Sequence, residues 1–373
     1  MHGAGAWERF CFNVYQRGDL AMEAKRARQS ARRELKKLEG GYGGSREEYR
    51  DVVLPFWERY NIRPDKRWYD LYCAFDDHYD PRYIPEDLYW QRIYPALNRT
   101  DFRHAYTDKC FYGQLFPYLK QPRTILRNSS HSFYNGDGTI ISAYQAKELL
   151  EQEPRFVIKP SINTGEGVGV YFFDERDPGA PERQHLLNQY YTDYIVQEDM
   201  RQHPQLAEFH PDSLNTIRII SLLYQGEVHI TSTILRMGVD GSRVDNFSAG
   251  GIACPIEVDG RLAPRALSGS SEWLSSHPGG AAFSGRNIPS YPRILAALRQ
   301  AHKDVPHLRL IGWDFSVDVT GEPVLVEYNG APGLNQRSCG PMFGNLTRSI
   351  LDMVLLGQMQ PVRETTEARE EII

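Results

Sequence analysis

Cysteine is scarce and scattered in this chain. The five among 373 residues (Cys11, Cys73, Cys110, Cys254 and Cys339) form no Cys-x-x-Cys pair. Spacing therefore offers neither a disulfide framework nor a zinc site, and the pattern fits a reducing compartment. Cys339 has no activating neighbour in sequence, so it reads as an incidental thiol rather than a nucleophile. No apolar run reaches the ~20 residues of a membrane span, and the first residues lack a signal-peptide core. The expectation is a soluble, cytoplasmic protein, in which Asn98-Arg-Thr, Asn128-Ser-Ser and Asn345-Leu-Thr carry no sugar. A net charge of −5 gives no reason to expect nucleic acid as a partner. Three nucleotide signatures are also missing. There is no Gly-Lys-Ser/Thr phosphate loop and no Gly-x-Gly-x-x-Gly before a helix, and the kinase pair His-Arg-Asp and Asp-Phe-Gly is absent.

What is present centres on residues 311–340. Ile311, Trp313, Phe315, Val317 and Val319 alternate with Gly312, Asp314, Ser316 and Asp318, the period of a strand with one apolar face. Thr320-Gly321 reads as a turn and 322–329 as the returning strand. A two-residue loop there sets Asp314 opposite Glu327 and Gly312 opposite Asn329. Cross-strand Cβ atoms lie about 4.5–5.5 Å apart, where like charges repel. Two carboxylates and a carboxamide oxygen on one face suit a hard divalent cation such as Mg²⁺, against the alternative of a solvated polar face. Gly312 and Gly330-Ala-Pro-Gly333 favour the cation, because they admit close approach of backbone or ligand.

Upstream, residues 7–38 read as a helix that carries seven Lys/Arg against two Glu from Glu23 to Lys37. That stripe would suit an anionic membrane surface or an acidic partner. It has few bulky apolar residues to insert, so a solvated face is the plainer reading. Gly40–Gly44 breaks the chain, 46–59 is helical, and the aromatic-rich stretch 68–98 serves inter-domain packing or sugar stacking. Thr107 or Asp108 caps a turn whose first residue is Lys109. A cation is disfavoured there by the helix dipole, which hints at an anionic ligand. Phe156–Pro160 is a strand ending in Lys159. Ser161 to Gly169, with Gly165 and Gly167, forms either a flap whose N–H groups close over phosphates or a plain glycine-tipped hairpin, and 170–173 returns. Tyr194–Met200 is a strand running into polar residues. Residues 213–224 and 227–236 form a hairpin around Gln225-Gly226. Arg218 and Arg236 sit in apolar strands and need a carboxylate or a bound anion. Residues 255–289 carry no strand signal, 291–303 is a helix, and 359–373 reads as a disordered tail.

These segments, taken in order, resemble the ATP-grasp superfamily, closest to its branch associated with sugar transfer and cell-surface polysaccharide clusters. The motifs that carry the resemblance are Thr-Asp-Lys109, Val-Ile-Lys159-Pro, the glycine loop, Val-Gln-Glu198-Asp-Met, Asn215-Thr-Ile-Arg218, Leu-Arg236, Asp245-Asn246 before Gly250-Gly251, Gly-Trp-Asp314 and Glu327-Tyr-Asn329-Gly-Ala-Pro-Gly. The resemblance implies an α+β fold whose two subdomains (106–195 and 196–358) grip ATP, behind a helical N-terminal domain (1–105). It implies that Lys109, Lys159 and Ser161 contact the nucleotide under a lid bearing Gly165 and Gly167. Gln197, Glu198 and Met200 would lie along the adenine. Asp314, Glu327 and Asn329 would hold Mg²⁺, Arg218 and Arg236 would steady the transferred phosphoryl group, and Asn246 would lie near phosphate or acceptor. The ribose carboxylate stays open among Asp199, Glu208 and Asp212.

The chemistry so implied is a carboxylate–amine ligase working through an acyl-phosphate on small-molecule, sugar-linked or amino-acid substrates. Positioning and electrostatics do most of that work, in keeping with the lack of a recognisable nucleophile–base pair. A phosphotransferase acting on a sugar or lipid hydroxyl differs in the fate of phosphate, which would stay on the acceptor. A nucleotide-binding module without turnover would have little use for Lys159, Asp314, Glu327 and Asn329 together.

Overall fold

β-branched and aromatic residues gather in thirteen strands, and these make two antiparallel sheets. The computed structural model describes residues 4–38, 45–74, 78–162 and 167–358. The first sheet holds β1 (Thr124–Ser129), β2 (Ser132–Asn135), β3 (Ile140–Ile141), β4 (Arg155–Pro160), β5 (Tyr171–Asp174) and β6 (Tyr194–Glu198), in the order β3-β2-β1-β6-β4-β5. One face is sealed by the helices Ala143–Glu151 and Arg183–Tyr190, which bury Ala146, Leu150, Leu186 and Leu187 against Leu126, Phe156, Ile158 and Val196. The first of these helices starts on a capping box between Ser142 and Gln145. Because strand side chains alternate, Val157 and Lys159 are left pointing the other way.

The second sheet holds β7 (Thr216–Tyr224), β8 (Glu227–Met237), β9 (Ile252–Pro255), β10 (Ala266–Ser268), β11 (Trp273–Leu274), β12 (Leu310–Val317) and β13 (Pro323–Asn329), in the order β11-β10-β9-β8-β7-β12-β13. The helix Tyr291–Asp304 covers one face, packing Ile294 and Leu298 on Ile217, Ile219, Trp313 and Phe315. The opposite face is split along its length. Ile220, Leu222 and Leu310 are buried under Val53, Trp57, Tyr89 and Tyr94 of the N-terminal helices. Further along the same strands the face turns polar at Thr216, Arg218 and Asp314 and lines a cleft.

Helix Ala4–Lys37 and the shorter helices after it form this N-terminal layer. Two of them widen for one turn, over Tyr49–Val53 and Tyr89–Ile93, each just ahead of Pro55 or Pro95. A proline ring collides with the carbonyl four residues back, and a wider turn relieves the clash. The aromatics of 68–98 take the packing role: Trp68, Tyr69, Tyr72, Tyr83, Tyr89 and Tyr94 are buried. Asn98 joins the layer to the sheet, donating to the carbonyls of Leu310 and Gly330 (both 2.7 Å) and accepting from Leu310 N–H at 2.8 Å. Tyr112 and Phe116, ahead of β1, bury in the core of the second sheet.

The hairpin expected at 216–236 forms as read, with Gln225 and Gly226 both at positive φ. Two sheet edges were not foreseen. The β1–β2 turn is Ser130-His131, also at positive φ, and it lacks the usual Asn or Gly signal. Within 255–289, β10 and β11 add two strands of three and two residues, too short for a period to show. No helix among the described residues is long and apolar enough to cross a membrane. The tail at 359–373, the break at 40–44, and Gly165 lie outside the described residues.

Candidate active site

A cleft of about 1710 Å³ separates the polar faces of the two sheets. β4 and β6 supply Lys159 and Gln197, β7 and β8 supply Arg218 and Arg236, and β12 and β13 supply Asp314, Glu327 and Asn329. Lys109, Asn246, Gly167 and Met200 come from connections, and Glu198 from the last position of β6. Every expected site residue that the structure describes lines this space except Ser161. Ser161 sits just behind the wall. Its carbonyl accepts from Lys109 N–H at 3.1 Å, its own N–H donates to the Asp193 carbonyl at 2.8 Å, and its hydroxyl is buried beside the Cys110 thiol.

β12 and β13 pair Asp314 with Glu327 and Gly312 with Asn329, the expected register, by a different route. The loop is one residue longer than Thr320-Gly321, because Val317 pairs with Pro323 and Asp318 N–H bonds the Glu322 carbonyl at 3.0 Å. A bulge between Asp314 and Phe315 leaves Val326 unpaired and restores the register before Glu327. The two departures cancel at the three residues that matter. The bulge therefore decides which face Glu327 and Asn329 present.

The charges on this floor are held in a chain. Arg218 grips Asp314 side-on, Nε to Oδ1 at 2.6 Å and Nη2 to Oδ2 at 2.7 Å. Arg236 Nη2 approaches Asp314 Oδ1 at 3.2 Å, and its Nε and Nη2 donate to the Thr216 hydroxyl at 3.0 and 2.8 Å. Thr216 in turn bonds the buried Asp245 through its hydroxyl and, at 2.9 Å, its N–H. Burial pushes the Asp314 carboxyl up, yet Arg218 and Arg236 outweigh it and hold the group below its ordinary value. At Asp245 burial prevails over Arg236 and Thr216, and the carboxyl is raised. Asp245 was passed over as a site residue because a lone Asp in a glycine-bearing turn carries no periodic signal.

Lys109 follows Asp108, whose side chain caps the turn by accepting from Cys110 N–H at 2.9 Å. The Lys109 ammonium meets Glu327 Oε1 at 3.1 Å. The Lys159 ammonium makes no hydrogen bond or ion pair among the described residues. Burial pushes its ammonium down to about 8, and Lys109 adds to this while Glu327 and Asp314 oppose it. A part-buried, unpartnered lysine on a cleft wall is a cation that lacks its anion.

The descending end of the glycine loop is described from Gly167 on. Gly167 has φ +75°, and a Cβ placed there would meet Asn246 Nδ2 at 2.8 Å. Gly169, at φ +73°, lies against Pro160, and its carbonyl accepts from the Tyr190 hydroxyl at 2.5 Å. The loop thus bends from the first sheet onto the Asn246 turn of the second.

Along the crossing strand, Gln197 is paired to both β1 and β4, so its backbone is spent within the sheet. Glu198 N–H bonds the Arg123 carbonyl at 3.0 Å, and its carboxylate accepts from Arg123 N–H at 2.9 Å. β6 ends there, and Met200 stands beyond it with its backbone outside the sheet. Asp199 is held by Arg155 and, at 3.1 Å, by Arg243. Glu208 pairs with Arg286 away from the cleft wall, whereas Asp212 lines it.

Among the described residues no group of three or more His, Cys, Asp or Glu side chains is arranged to hold a metal. Asp314, Glu327 and Asn329 supply two carboxylates and one carboxamide, a set with oxygen donors only. A carboxylate has about four lone-pair sites. Three of Asp314's are engaged by the arginines, Glu327 accepts once from Lys109, and Asn329 Oδ1 accepts once from Ala331 N–H at 2.8 Å. Each residue keeps acceptor capacity, so the set fits a hard cation without breaking an ion pair.

Comparison with known proteins places this geometry. Among solved structures, the chain is similar to a D-alanyl-alanine synthetase A from Vibrio cholerae, at 13% identity, 67% coverage of this chain and 64% of that one, TM-score 0.40. An N5-carboxyaminoimidazole synthetase from Staphylococcus aureus with ADP matches at 8% identity, 78% and 58% coverage, TM-score 0.41. An L-amino acid ligase from Bacillus licheniformis matches at 14% identity, 70% and 52% coverage, TM-score 0.37. The chain thus spans between 52% and 64% of the length of these three structures. No curated protein matches the chain by sequence. The family described as sugar-transfer associated ATP-grasp matches residues 91–339, well over half of the chain. The α+β fold with two antiparallel sheets and the helical region ahead of it agree with that match, and the chain belongs to the sugar-transfer associated ATP-grasp family.

Proposed function

We propose that the cleft binds ATP with Mg²⁺ and joins a carboxylate to an amine through an acyl-phosphate, in the modification of a cell-surface polysaccharide or of a sugar-acid or amino-acid precursor. The observation that carries this reading is the meeting of four cations, Lys109, Lys159, Arg218 and Arg236, with the Asp314–Glu327–Asn329 face in one cleft. Three carboxylates (Asp245, Asp314 and Glu327) face those cations, so the floor is close to neutral before a nucleotide arrives. Asp314, Glu327 and Asn329 would hold the metal, which supplies positive charge at the phosphate oxygens.

The chain's own residues would do the rest. Lys159 meets a phosphate that no protein group now satisfies. Arg218 and Arg236 each keep Nη1 out of any hydrogen bond among the described residues, so they can face developing negative charge while still fixing Asp314. Gly167, folded onto Asn246, brings backbone over the same space and limits water. In the first step a substrate carboxylate oxygen attacks the terminal phosphorus and ADP leaves. In the second an amine nitrogen attacks the acyl carbon, the C–O bond breaks and inorganic phosphate departs with the electron pair. Incubation with ATP, Mg²⁺, hydroxylamine and a panel of uronic acids and amino acids should trap a hydroxamate with stoichiometric phosphate. ATP consumption with no hydroxamate across the panel, or phosphate retained on an acceptor, would refute the reading.

A further inference from the structure

The family match begins at residue 91, but the end wall of the cleft is built from residues before it. Helix Ala4–Lys37 contributes Glu23, Arg26 and Arg33, and the short helix Glu86–Leu88 contributes Glu86. A single drug-sized ligand occupies a pocket of roughly 300–1,000 Å³, and this cleft, at about 1710 Å³, has room beyond the nucleotide.

The wall is held in place by specific contacts. Ile84 N–H donates to Gln336 Oε1 at 2.9 Å, and Gln336 Nε2 returns a bond to the Ile84 carbonyl at 2.8 Å. The Tyr89 hydroxyl donates to the Pro332 carbonyl at 2.7 Å, and Arg28 Nε bonds Asp87 at 2.8 Å. These contacts bring Glu86 within electrostatic reach of Arg337, whose Nη1 is committed to Glu34 at 3.2 Å and whose Nε and Nη2 have no hydrogen-bond partner among the described residues. The Glu86 carboxylate makes no hydrogen bond or ion pair among the described residues, while its backbone carbonyl accepts from Tyr89 N–H. The charges facing it are Asp87 on its own turn, Glu23 from the long helix and Arg337 from the helix Gln336–Cys339. Burial, Asp87 and Glu23 raise its carboxyl and Arg337 lowers it, and the result is about 7.

We propose that Glu86 receives the amine of the acceptor, pairing with the ammonium as a carboxylate and taking the proton that the nitrogen must lose before it attacks. This rests on the ligase reading given above. The ammonium passes one proton to Glu86, the neutral amine forms the C–N bond as the C–O bond to phosphate breaks, and the second nitrogen proton leaves to solvent. A base in this range suits an ammonium and is far too weak for a sugar hydroxyl. The N-terminal helical region thereby selects the acceptor, while the family-matched part binds the nucleotide.

Binding tests this without knowledge of the natural acceptor. The full chain is loaded with Mg²⁺ and a non-hydrolysable ATP analogue, then titrated with glycine, ethanolamine and glucosamine at pH 6, 7 and 8. The wild type is expected to bind at least one amine, more tightly at pH 8 than at pH 6. Glu86→Gln should weaken that amine at least tenfold and flatten the pH dependence, and Glu86→Asp should recover part of it. Affinity for the nucleotide analogue, equal in all three proteins, shows that the variants fold. Equal amine binding by wild type and Glu86→Gln, no binding of any amine by the wild type, or a flat pH profile in the wild type overturns the proposal. Hydroxamate trapping with the wild type is read separately: its failure counts against the ligase reading and leaves the amine result standing.

Discussion

Lys159 gives the sharpest test of nucleotide binding, because its ammonium is paired with nothing among the described residues. Held near 8 by burial, it is about nine-tenths protonated at pH 7 and about one-tenth at pH 9. A triphosphate in contact with it favours the charged form, and a return to the ordinary value of 10.5 would keep the bound form charged over that range. Binding must then protonate the lysine at high pH. Nucleotide affinity should fall roughly tenfold from pH 7 to pH 9, about 1.4 kcal/mol, with about half a proton taken up at pH 8. The signs of two effects oppose each other. Between 8 and 10.5 the unfolded chain binds this proton more tightly than the folded one, so the lysine's contribution makes the nucleotide-free protein more stable as pH rises, while nucleotide affinity drops. Calorimetric titration with MgADP in two buffers of different ionisation enthalpy reads the proton count directly. Lys159→Met should bind weakly at every pH with no uptake, and Lys159→Arg should bind with a flat profile. Zero uptake at pH 8 in the wild type, or the same pH slope in Lys159→Met, would refute the reasoning.

Other perturbations follow from the same contacts. Gly167→Ala puts a side chain at φ +75° and 2.8 Å from Asn246 Nδ2; a strain of roughly 1–2 kcal/mol should appear as weaker nucleotide binding with little change in melting temperature. Arg218→Ala leaves Asp314 to Arg236 alone and should cost about 3–5 kcal/mol in urea unfolding, as when one partner of a buried ion pair is removed. Asn98→Ala strands two carbonyls and an N–H between the helical layer and the second sheet, and should lower stability by roughly 2–4 kcal/mol with nucleotide affinity retained. Glu86→Gln should stabilise the chain at pH 8 by up to ~3 kcal/mol, since a raised carboxyl opposes folding above its folded value; the gain should vanish at pH 4, where both states carry the proton, and thermal melts at the two pH values check it.

The strand-bound part of the site was legible because alternation ties a residue's number to its face. Asp314, Glu327, Asn329, Arg218, Arg236 and Lys159 all came from strands of five or more residues, and all line the cleft. Even there the hairpin was right for an incomplete reason: a longer turn and a bulge at Val326 each shift the register by one, and neither leaves a mark in a one-residue sequence window. Ser161 lies past the end of β4, where alternation no longer predicts direction, and it turned behind the wall. Glu86 had no signal at all. It sits among prolines and aromatics that speak only of packing, and its role depends on Gln336, far along the chain, fastening Ile84 in place.

The two ion pairs on the cleft floor are unequal, and the difference sets which one yields to a ligand. Arg218–Asp314 is side-on and withdrawn from water, with 16% and 5% of the side chains exposed, so separating it would leave two buried charges uncompensated at several kcal/mol. Lys109–Glu327 is a single contact at 3.1 Å, with the Glu327 side chain 31% exposed. The Lys109 side chain is itself only 6% exposed, so the pair yields because a phosphate oxygen can replace its one ion-pair contact while the half-buried glutamate still reaches solvent. In the proposed reading an incoming triphosphate should therefore meet Lys159 first, draw Lys109 next and leave Arg218 on Asp314. Glu327 is the carboxylate released in that exchange. Together with the spare acceptor sites of Asp314 and Asn329, it offers a divalent ion one more acceptor site once the phosphates are in place, so metal and nucleotide should bind cooperatively.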